Sequence, residues 1–193
     1  RDRPPNLQDS WFDKDYFLKK HNINANFFGH PLMDDLKKYK PKKIESKKPI
    51  ISILPGSRKQ EISKILAKVL KICKYFPDFR FIIAGVNHID EKTYQKILSD
   101  NNSNVEVVYD RTYEIINSSK LSIVTSGTAT LETALLNTPQ IVCYVTSPLN
   151  ILLAKLFVKI KFISLVNLIC KKEVIKEFIQ SEVNENNLKN EIN

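Results

Sequence analysis

The chain has 193 residues, 42% of them hydrophobic, which is enough to bury the core of one domain with a smaller appendage and too few for two large domains. The formal charge of +9 calls for an anionic partner (a phosphorylated substrate, an acidic membrane face or nucleic acid) or for the lysine-rich surface that AT-biased coding produces beside abundant Asn and Ile. The three cysteines, Cys73, Cys143 and Cys170, lie far apart in apolar runs, no apolar run reaches the roughly 20 residues of a membrane span, and the opening Arg1-Asp2-Arg3-Pro4-Pro5 has no secretory core. A reduced, cytosolic protein without a disulfide framework or zinc site is expected.

Residues 1–36 lack the rhythm of the rest. Trp11, Phe12, Tyr16, Phe17 and Leu18 form an aromatic cluster, and Phe27 to Leu32 reads as a strand end turning through Gly29, His30 and Pro31. This stretch is read as the remnant of an amino-terminal domain with its hinge. Residues 37–48, lysine-rich with one proline, have the composition of a solvated basic linker.

From 49 to 193 short β-branched runs alternate with helical patterns, which predicts an α/β domain: a Rossmann-like parallel sheet with helices on both faces. Ile50 to Leu54 is the first strand. Ile62, Ile65, Leu66, Val69, Leu70, Cys73 and Phe76 then recur at three and four, one face of a helix that Pro77 closes. Strands follow at Phe81 to Ala84, Val105 to Tyr109, Leu121 to Val124 and Ile141 to Val145. Between them lie a weaker helix through Tyr94, Ile97 and Leu98, a short one through Tyr113 and Ile116, and one that carries Glu132. Pro148 to Lys161 is apolar nearly all round, broken by Lys155, Lys159 and Lys161. Phe162 to Ile169 reads as extended, Glu173 to Gln180 as a short helix, and Asn184 as the cap of another beginning near Asn186, after which no clear terminal helix pattern appears.

The stretch Thr125-Ser126-Gly127-Thr128-Ala129-Thr130-Leu131-Glu132 directly follows one strand and opens a helix. A strand ending in small hydroxyl residues around a glycine, then a helix start, leaves backbone N–H groups and the positive end of the helix dipole pointing at one spot, which suits an anion. Glu132, about one and a half turns into the helix, can face the same mouth and accept hydrogen bonds from ribose hydroxyls. Leu54-Pro55-Gly56-Ser57-Arg58 repeats the strand–turn–helix build, with an arginine able to bind phosphate oxygens through two N–H groups. Both turns fall at the carboxyl ends of strands, where open α/β sheets bind ligands, and together they suggest a nucleotide diphosphate site.

Plainer readings stand beside these. Gly56 serves equally as a tight turn with Arg58 a surface charge, Glu132 as a first-turn acid favoured by the helix dipole, Asn167 as a loop residue making a local turn, and Gln180 as a solvated helix residue. His30, His21 and His88 show no metal spacing, no Ser-His-Asp arrangement is present, and no Walker lysine follows Gly56. Aromatic and basic residues do not interleave as in a single-strand platform, and no helix-turn-helix pattern is visible, so nucleic acid is not the expected partner.

Gly29-His30-Pro31-Leu32-Met33-Asp34, Leu54 to Arg58 with Glu61-Ile62, Ser126 to Glu132, and Ile163 to Ile169 followed by Glu177-Phe178-Ile179-Gln180 resemble, in order and spacing, the lipid-A-disaccharide synthases. The likeness runs over roughly Phe17 to Leu188. It implies the nucleotide-binding half of a GT-B glycosyltransferase, an enzyme that moves 2,3-diacylglucosamine from UDP-2,3-diacylglucosamine to 2,3-diacylglucosamine 1-phosphate by inverting displacement, with no metal or other cofactor. By the same resemblance Arg58 would contact the diphosphate, Gly56 and Ser57 would form a phosphate turn, Ser126, Gly127 and Thr128 would line the phosphate end, Glu132 would hold the ribose, Asn167 and Gln180 would border the nucleotide pocket, and Gly29, His30 and Pro31 would belong to the hinge.

The family's acceptor site and candidate general base lie in an amino-terminal half that this sequence lacks, so the chain alone is expected to bind nucleotide without turnover. Val166 stands where the family usually has proline, and Arg1 to Asp15 does not match the family strand. Family members continue further at the carboxyl end, where exchanged helices make a homodimer an expectation. Acylated substrates imply work at the inner face of the cytoplasmic membrane, with Pro148 to Lys161 either a basic docking surface or a core helix whose lysines snorkel outward. Another UDP-N-acetylglucosamine-dependent GT-B enzyme (a peptidoglycan-precursor transferase or a 2-epimerase) and a non-catalytic basic Rossmann-like module are the alternatives.

Overall fold

A computed structural model describes residues 31–39, 42–125, 127–146 and 162–193. In chain order the elements are α1 (Pro31–Lys38), β1 (Ile50–Leu54), α2 (Lys59–Val69) running into a 3-10 turn (Leu70–Tyr75), β2 (Arg80–Gly85), α3 (Glu91–Asp100), β3 (Glu106–Tyr109), α4 (Thr112–Ser118), β4 (Ser119–Thr125), α5 (Thr128–Leu135), β5 (Gln140–Tyr144), α6 (Leu165–Cys170), β6 (Lys176–Ile179), a second 3-10 turn (Gln180–Glu182) and α7 (Glu185–Ile192).

All six strands run parallel, in the order β3-β2-β1-β4-β5-β6. The continuous apolar run Ile50–Leu54 is buried throughout, as expected of a central strand covered on both faces. Ile51, Ile53, Ile83 and Ile123 pack on one face against the α2 stripe of Ile62, Ile65, Leu66 and Val69, together with Tyr94 of α3 and Leu188 of α7. Ile50, Leu54, Ile82 and Val124 meet Ile115 and Ile116 of α4 on the other. Two of the polar side chains buried inside this sheet satisfy each other: Ser52 and Ser122 lie directly opposite across β1 and β4, their hydroxyls 2.6 Å apart.

The chain builds outward from β1 to the β3 edge and then returns through α4 to lay β4 on the opposite side of β1. The carboxyl ends of β1 and β4 therefore flank the point where strand order reverses, and the loops leaving them diverge to open a crevice.

Close packing beside this crevice requires a glycine. A Cβ on Gly85, at the end of β2, would lie 2.5 Å from Cε1 and 2.7 Å from Cδ1 of Tyr109 and 2.8 Å from Cγ1 of Val107, because the Tyr109 ring lies against the glycine on its way to an edge-on contact with Tyr94. Gly85→Val is expected to destabilise the domain by about 1–3 kcal/mol through overpacking, read as a lower denaturation midpoint. An unchanged midpoint would mean that the ring moves aside freely.

Two expectations are corrected at the carboxyl-terminal end. Phe162 to Ile169 is not extended: Leu165–Cys170 is helical, with the Ser164 side chain capping it by accepting from the Asn167 N–H, while Lys171 ends it in the left-handed conformation. Glu173 to Gln180 is not a helix: Lys176–Ile179 pairs in register with Ile141–Tyr144 as the sixth strand, and Gln180 starts the short 3-10 turn. The helix expected after Asn184 is present as Glu185–Ile192, with the Asn184 side chain accepting from the Asn187 N–H and Leu188 buried. Pro31, read as part of a turn, is instead the first residue of α1, where its missing N–H costs nothing. Gly29 and His30 lie outside the described residues, as do the aromatic cluster and Pro148 to Lys161.

Residues 42–48 are irregular yet tied to the domain. The Ile44 N–H donates to Ser118 Oγ (2.7 Å), Lys48 Nζ to the Pro77 carbonyl (2.7 Å), and the Arg80 guanidinium to the Glu45 carbonyl (3.2 Å). Helix α1 packs against α5. All three cysteines are free, and burial pushes the Cys73 and Cys143 thiols up to about 12, which makes them inert packing groups.

Candidate functional site

Leu54 of β1 lies opposite Val124 of β4, so the two chains leave the sheet side by side. One turns through Pro55-Gly56-Ser57-Arg58 into α2, and the other enters α5 after Gly127. Gly56 has φ +96 and Gly127 φ +127 with ψ −158, conformations that glycine adopts without strain and other residues rarely reach. A Cβ on Gly56 would come within 3.2 Å of Glu61 Oε2 and 3.4 Å of Thr125 Cγ2; at Gly127 it would meet nothing within 4 Å, so the demand there is purely conformational.

Between the turns is a cleft of about 560 Å³. Gly56, Ser57 and Arg58 line one wall and Gly127, Thr128 and Glu132 the other, with Thr125, Thr112 and Tyr144 also on its surface. The starts of α2 and α5 both open onto it, each contributing backbone N–H groups without helical acceptors and the positive end of a helix dipole. Thr125 is buried, and its hydroxyl has no hydrogen-bond partner among the described residues.

The charged groups divide between the walls. The Arg58 side chain is 80% exposed and its Nη1 lies 2.8 Å from Glu61 Oε1, a solvent-screened ion pair that an anionic ligand can readily displace. Ser57 is anchored from the neighbouring β2 loop, where His88 Nε2 donates to its carbonyl at 2.6 Å. Arg58 and Tyr144 also border a smaller hollow of about 360 Å³ that carries Lys59 and Lys64.

Across the cleft, burial raises the Glu132 carboxyl above the ordinary carboxylate range, and a hydrogen bond from the Tyr113 hydroxyl to Oε1, at 3.2 Å, pulls it partly back. Burial, followed by the charge of Glu132, pushes the Tyr113 phenol up to about 12, so it stays a donor.

Six of the residues expected at the site are thus brought together: Gly56, Ser57, Arg58, Gly127, Thr128 and Glu132. Ser126 lies outside the described residues. Asn167 does not line the cleft. It is fully buried, its Nδ2 donating to the Ile175 carbonyl (2.8 Å) and Glu177 Oε1 (2.7 Å) while Oδ1 accepts from the N–H groups of Val174 (2.8 Å) and Ile175 (3.0 Å). Gln180 sits on the same sheet rim at the end of β6, with φ +56 and its Nε2 donating to the Thr146 carbonyl at 3.3 Å, but it is not part of the cleft wall.

Sequence reasoning passed over Tyr113, His88 and Tyr144, which reach the site from α4, the β2 loop and β5. Their only signal is position at or just after a strand's carboxyl end. Among the described residues no group of His, Cys, Asp and Glu is arranged to hold a metal ion, and no helix is long and apolar enough to cross a membrane.

Comparison with known proteins gives a consistent result. The family model described as lipid-A-disaccharide synthetase matches residues 11–193. Lipid-A-disaccharide synthase of Wigglesworthia glossinidia brevipalpis is 35% identical over 184 residues, covering 89% of this chain and 48% of that protein. The enzyme of the same name from Colwellia psychrerythraea is 29% identical over 180 residues, covering 86% and 46%. The chain spans about half the length of the curated relatives it matches. Among solved structures, E. coli ADP-heptose lps heptosyltransferase II aligns with a TM-score of 0.47 at 12% identity, over 77% of this chain and 46% of that one.

Proposed function

Because the chain belongs to the lipid-A-disaccharide synthetase family, we propose that its α/β domain is the donor-nucleotide half of a glycosyltransferase acting in lipid A biosynthesis. In this reading the cleft between the Gly56 and Gly127 turns holds the UDP portion of UDP-2,3-diacylglucosamine. The acceptor is 2,3-diacylglucosamine 1-phosphate, whose sugar hydroxyl attacks the anomeric carbon as the bond to UDP breaks, inverting that centre. The hydroxyl proton goes to a general base that belongs to the amino-terminal half of such enzymes.

The observation that carries the reading is the juxtaposition of two glycine turns on adjacent parallel strands at the switch point, with a guanidinium on one wall and a half-buried carboxylate on the other. A diphosphate fits the first wall and the two N-terminal helix ends. Ribose hydroxyls fit the second. Arg58 and the backbone donors of both turns meet the charge that develops on departing UDP, which is where preorganised donors act most strongly and which lets the step proceed without a metal. Ser126, Asn167 and Gln180 belong to the same proposal as border residues, Asn167 acting through the loop it clamps and Gln180 from the neighbouring rim.

The +9 charge supports a companion proposal, a cytoplasmic enzyme held peripherally at the anionic inner-membrane face where acylated substrates reside; a homodimer is proposed from the family resemblance alone.

Titration calorimetry of this chain with UDP and UMP tests the site. Arg58→Ala is expected to weaken UDP roughly fivefold to tenfold and UMP less, since an exposed guanidinium meets chiefly the second phosphate. Equal UDP affinity in wild type and variant would reject Arg58 as the diphosphate ligand.

A further inference from the structure

We propose that Tyr113 is the positioning residue for Glu132, its hydroxyl fixing one carboxylate oxygen so that the other is presented to the hydroxyls of a bound nucleotide's ribose, with Tyr39 holding the tyrosine ring in place. This deepens the nucleotide reading and rests on it. Glu132 sits on the cleft wall, and the Tyr113 Oη–H to Oε1 contact of 3.2 Å is the hydrogen bond its carboxylate makes among the described residues; Oε2 is left unused.

A glutamate has three side-chain torsions, and freezing them on ligand binding opposes affinity; a hydrogen bond made before the ligand arrives removes part of that opposition. Tyr113 suits this purpose because its own ring is fixed. It is half-buried, packs with the Ile115 and Ile116 side of the core, and meets the Tyr39 ring edge-on with centroids 5.2 Å apart and planes at 73°. Tyr39 in turn follows α1, which packs against α5, the helix that carries Glu132. Three segments far apart in sequence thus converge on one carboxylate. The other charged group facing Tyr113 is Asp35 of α1, and across the cleft Arg58 is engaged with Glu61. No competing donor reaches Glu132 among the described residues.

The test compares UDP with 2′,3′-dideoxy-UDP, which lacks the hydroxyls Glu132 would hold, by calorimetry on wild type, Tyr113→Phe, Tyr39→Leu and Glu132→Gln. Tyr113→Phe keeps the ring and its packing. It is expected to weaken UDP by roughly fivefold while leaving dideoxy-UDP within about twofold, and Tyr39→Leu is expected to show the same selective pattern more weakly. If Tyr113→Phe binds UDP as tightly as wild type while Glu132→Gln still discriminates against the ribose hydroxyls, the positioning role fails and the nucleotide site stands. Equal losses for both ligands would make Tyr113 a merely structural residue and also overturn the proposal. A wild type that binds both nucleotides equally removes the ribose contact itself, and with it both readings of Glu132.

Discussion

Asn167→Ala is expected to lower the free energy of unfolding by about 2–4 kcal/mol, a large loss for the truncation of one polar side chain. The reason lies in how many groups depend on one amide. Its oxygen accepts from two consecutive backbone N–H groups, Val174 and Ile175, and its nitrogen donates to the Ile175 carbonyl and to Glu177. Glu177 in turn accepts from the N–H groups of Ile163 and Ser164 and from the Ser164 hydroxyl, at 2.6–3.0 Å. Alanine leaves the two N–H groups, the Ile175 carbonyl and part of a carboxylate, all part-buried around the fully buried amide, without that partner, and each such group costs up to about 1–3 kcal/mol. Asn167→Asp should not restore stability, since it sets a carboxylate against Glu177. Chemical denaturation with unchanged slope and a lower midpoint would report this loss, whereas a shift below about 0.5 kcal/mol would show that the turn between α6 and β6 rearranges and that Asn167 is not its clamp.

The same network explains where the sequence could be read and where it could not. The central strands were legible because Ile50–Leu54 and its neighbours are buried on both faces, so their apolar runs are continuous and β-branched, and because the α2 stripe keeps helical spacing for three turns. Helix α6 has only six residues, Leu-Val-Asn-Leu-Ile-Cys, too few for a helical period to separate from a strand's apolar run. It is helical because Ser164 caps it and Glu177, thirteen residues away from that cap, organises its start. Strand β6 buries Phe178 alone among Lys176–Ile179, and its Lys176 pairs with Glu173 three residues back, a spacing that reads as helical. Long-range partners decided both, and periodicity does not encode them.

Of the site, the two glycine turns, Arg58 and Glu132 were legible as local patterns that need no topology. Tyr113 was not, because its contact with Glu132 exists only once α4 has carried the chain from the β3 edge back to β4. The role assigned to Asn167 by resemblance also looks different in the structure. Its side chain is consumed within its own loop, so any influence on a nucleotide passes through the shape of that loop.

Glu132→Gln is expected to weaken UDP roughly 10- to 100-fold, the range set by the 1.5–3 kcal/mol of a hydrogen bond to a charged group, and at the same time to make the domain more stable at neutral pH. The opposite signs follow from one cause. Burial in the cleft wall raises the Glu132 carboxyl in the folded chain, and the Tyr113 bond only partly offsets it. Between the unfolded and folded values the native state holds more protons than the unfolded one, so stability is greatest below the unfolded value and falls as pH rises through the folded one. At neutral pH the wild-type chain therefore carries a charged group that its surroundings disfavour, and a neutral glutamine of the same shape, still able to accept from Tyr113, removes the disadvantage. A gain in stability near neutral pH is expected, shrinking in acid as the wild-type carboxyl takes up its proton. Wild-type UDP affinity should fall over the same acid range, because a protonated carboxyl loses acceptor strength for the ribose, and the glutamine variant should lack that dependence. Thermal unfolding and calorimetry at neutral and acid pH separate the effects. A variant that is less stable at neutral pH yet binds UDP normally would make Glu132 an ordinary helix acid, whereas greater stability with lost binding would identify a carboxylate kept in an unfavourable place because the ligand needs it there.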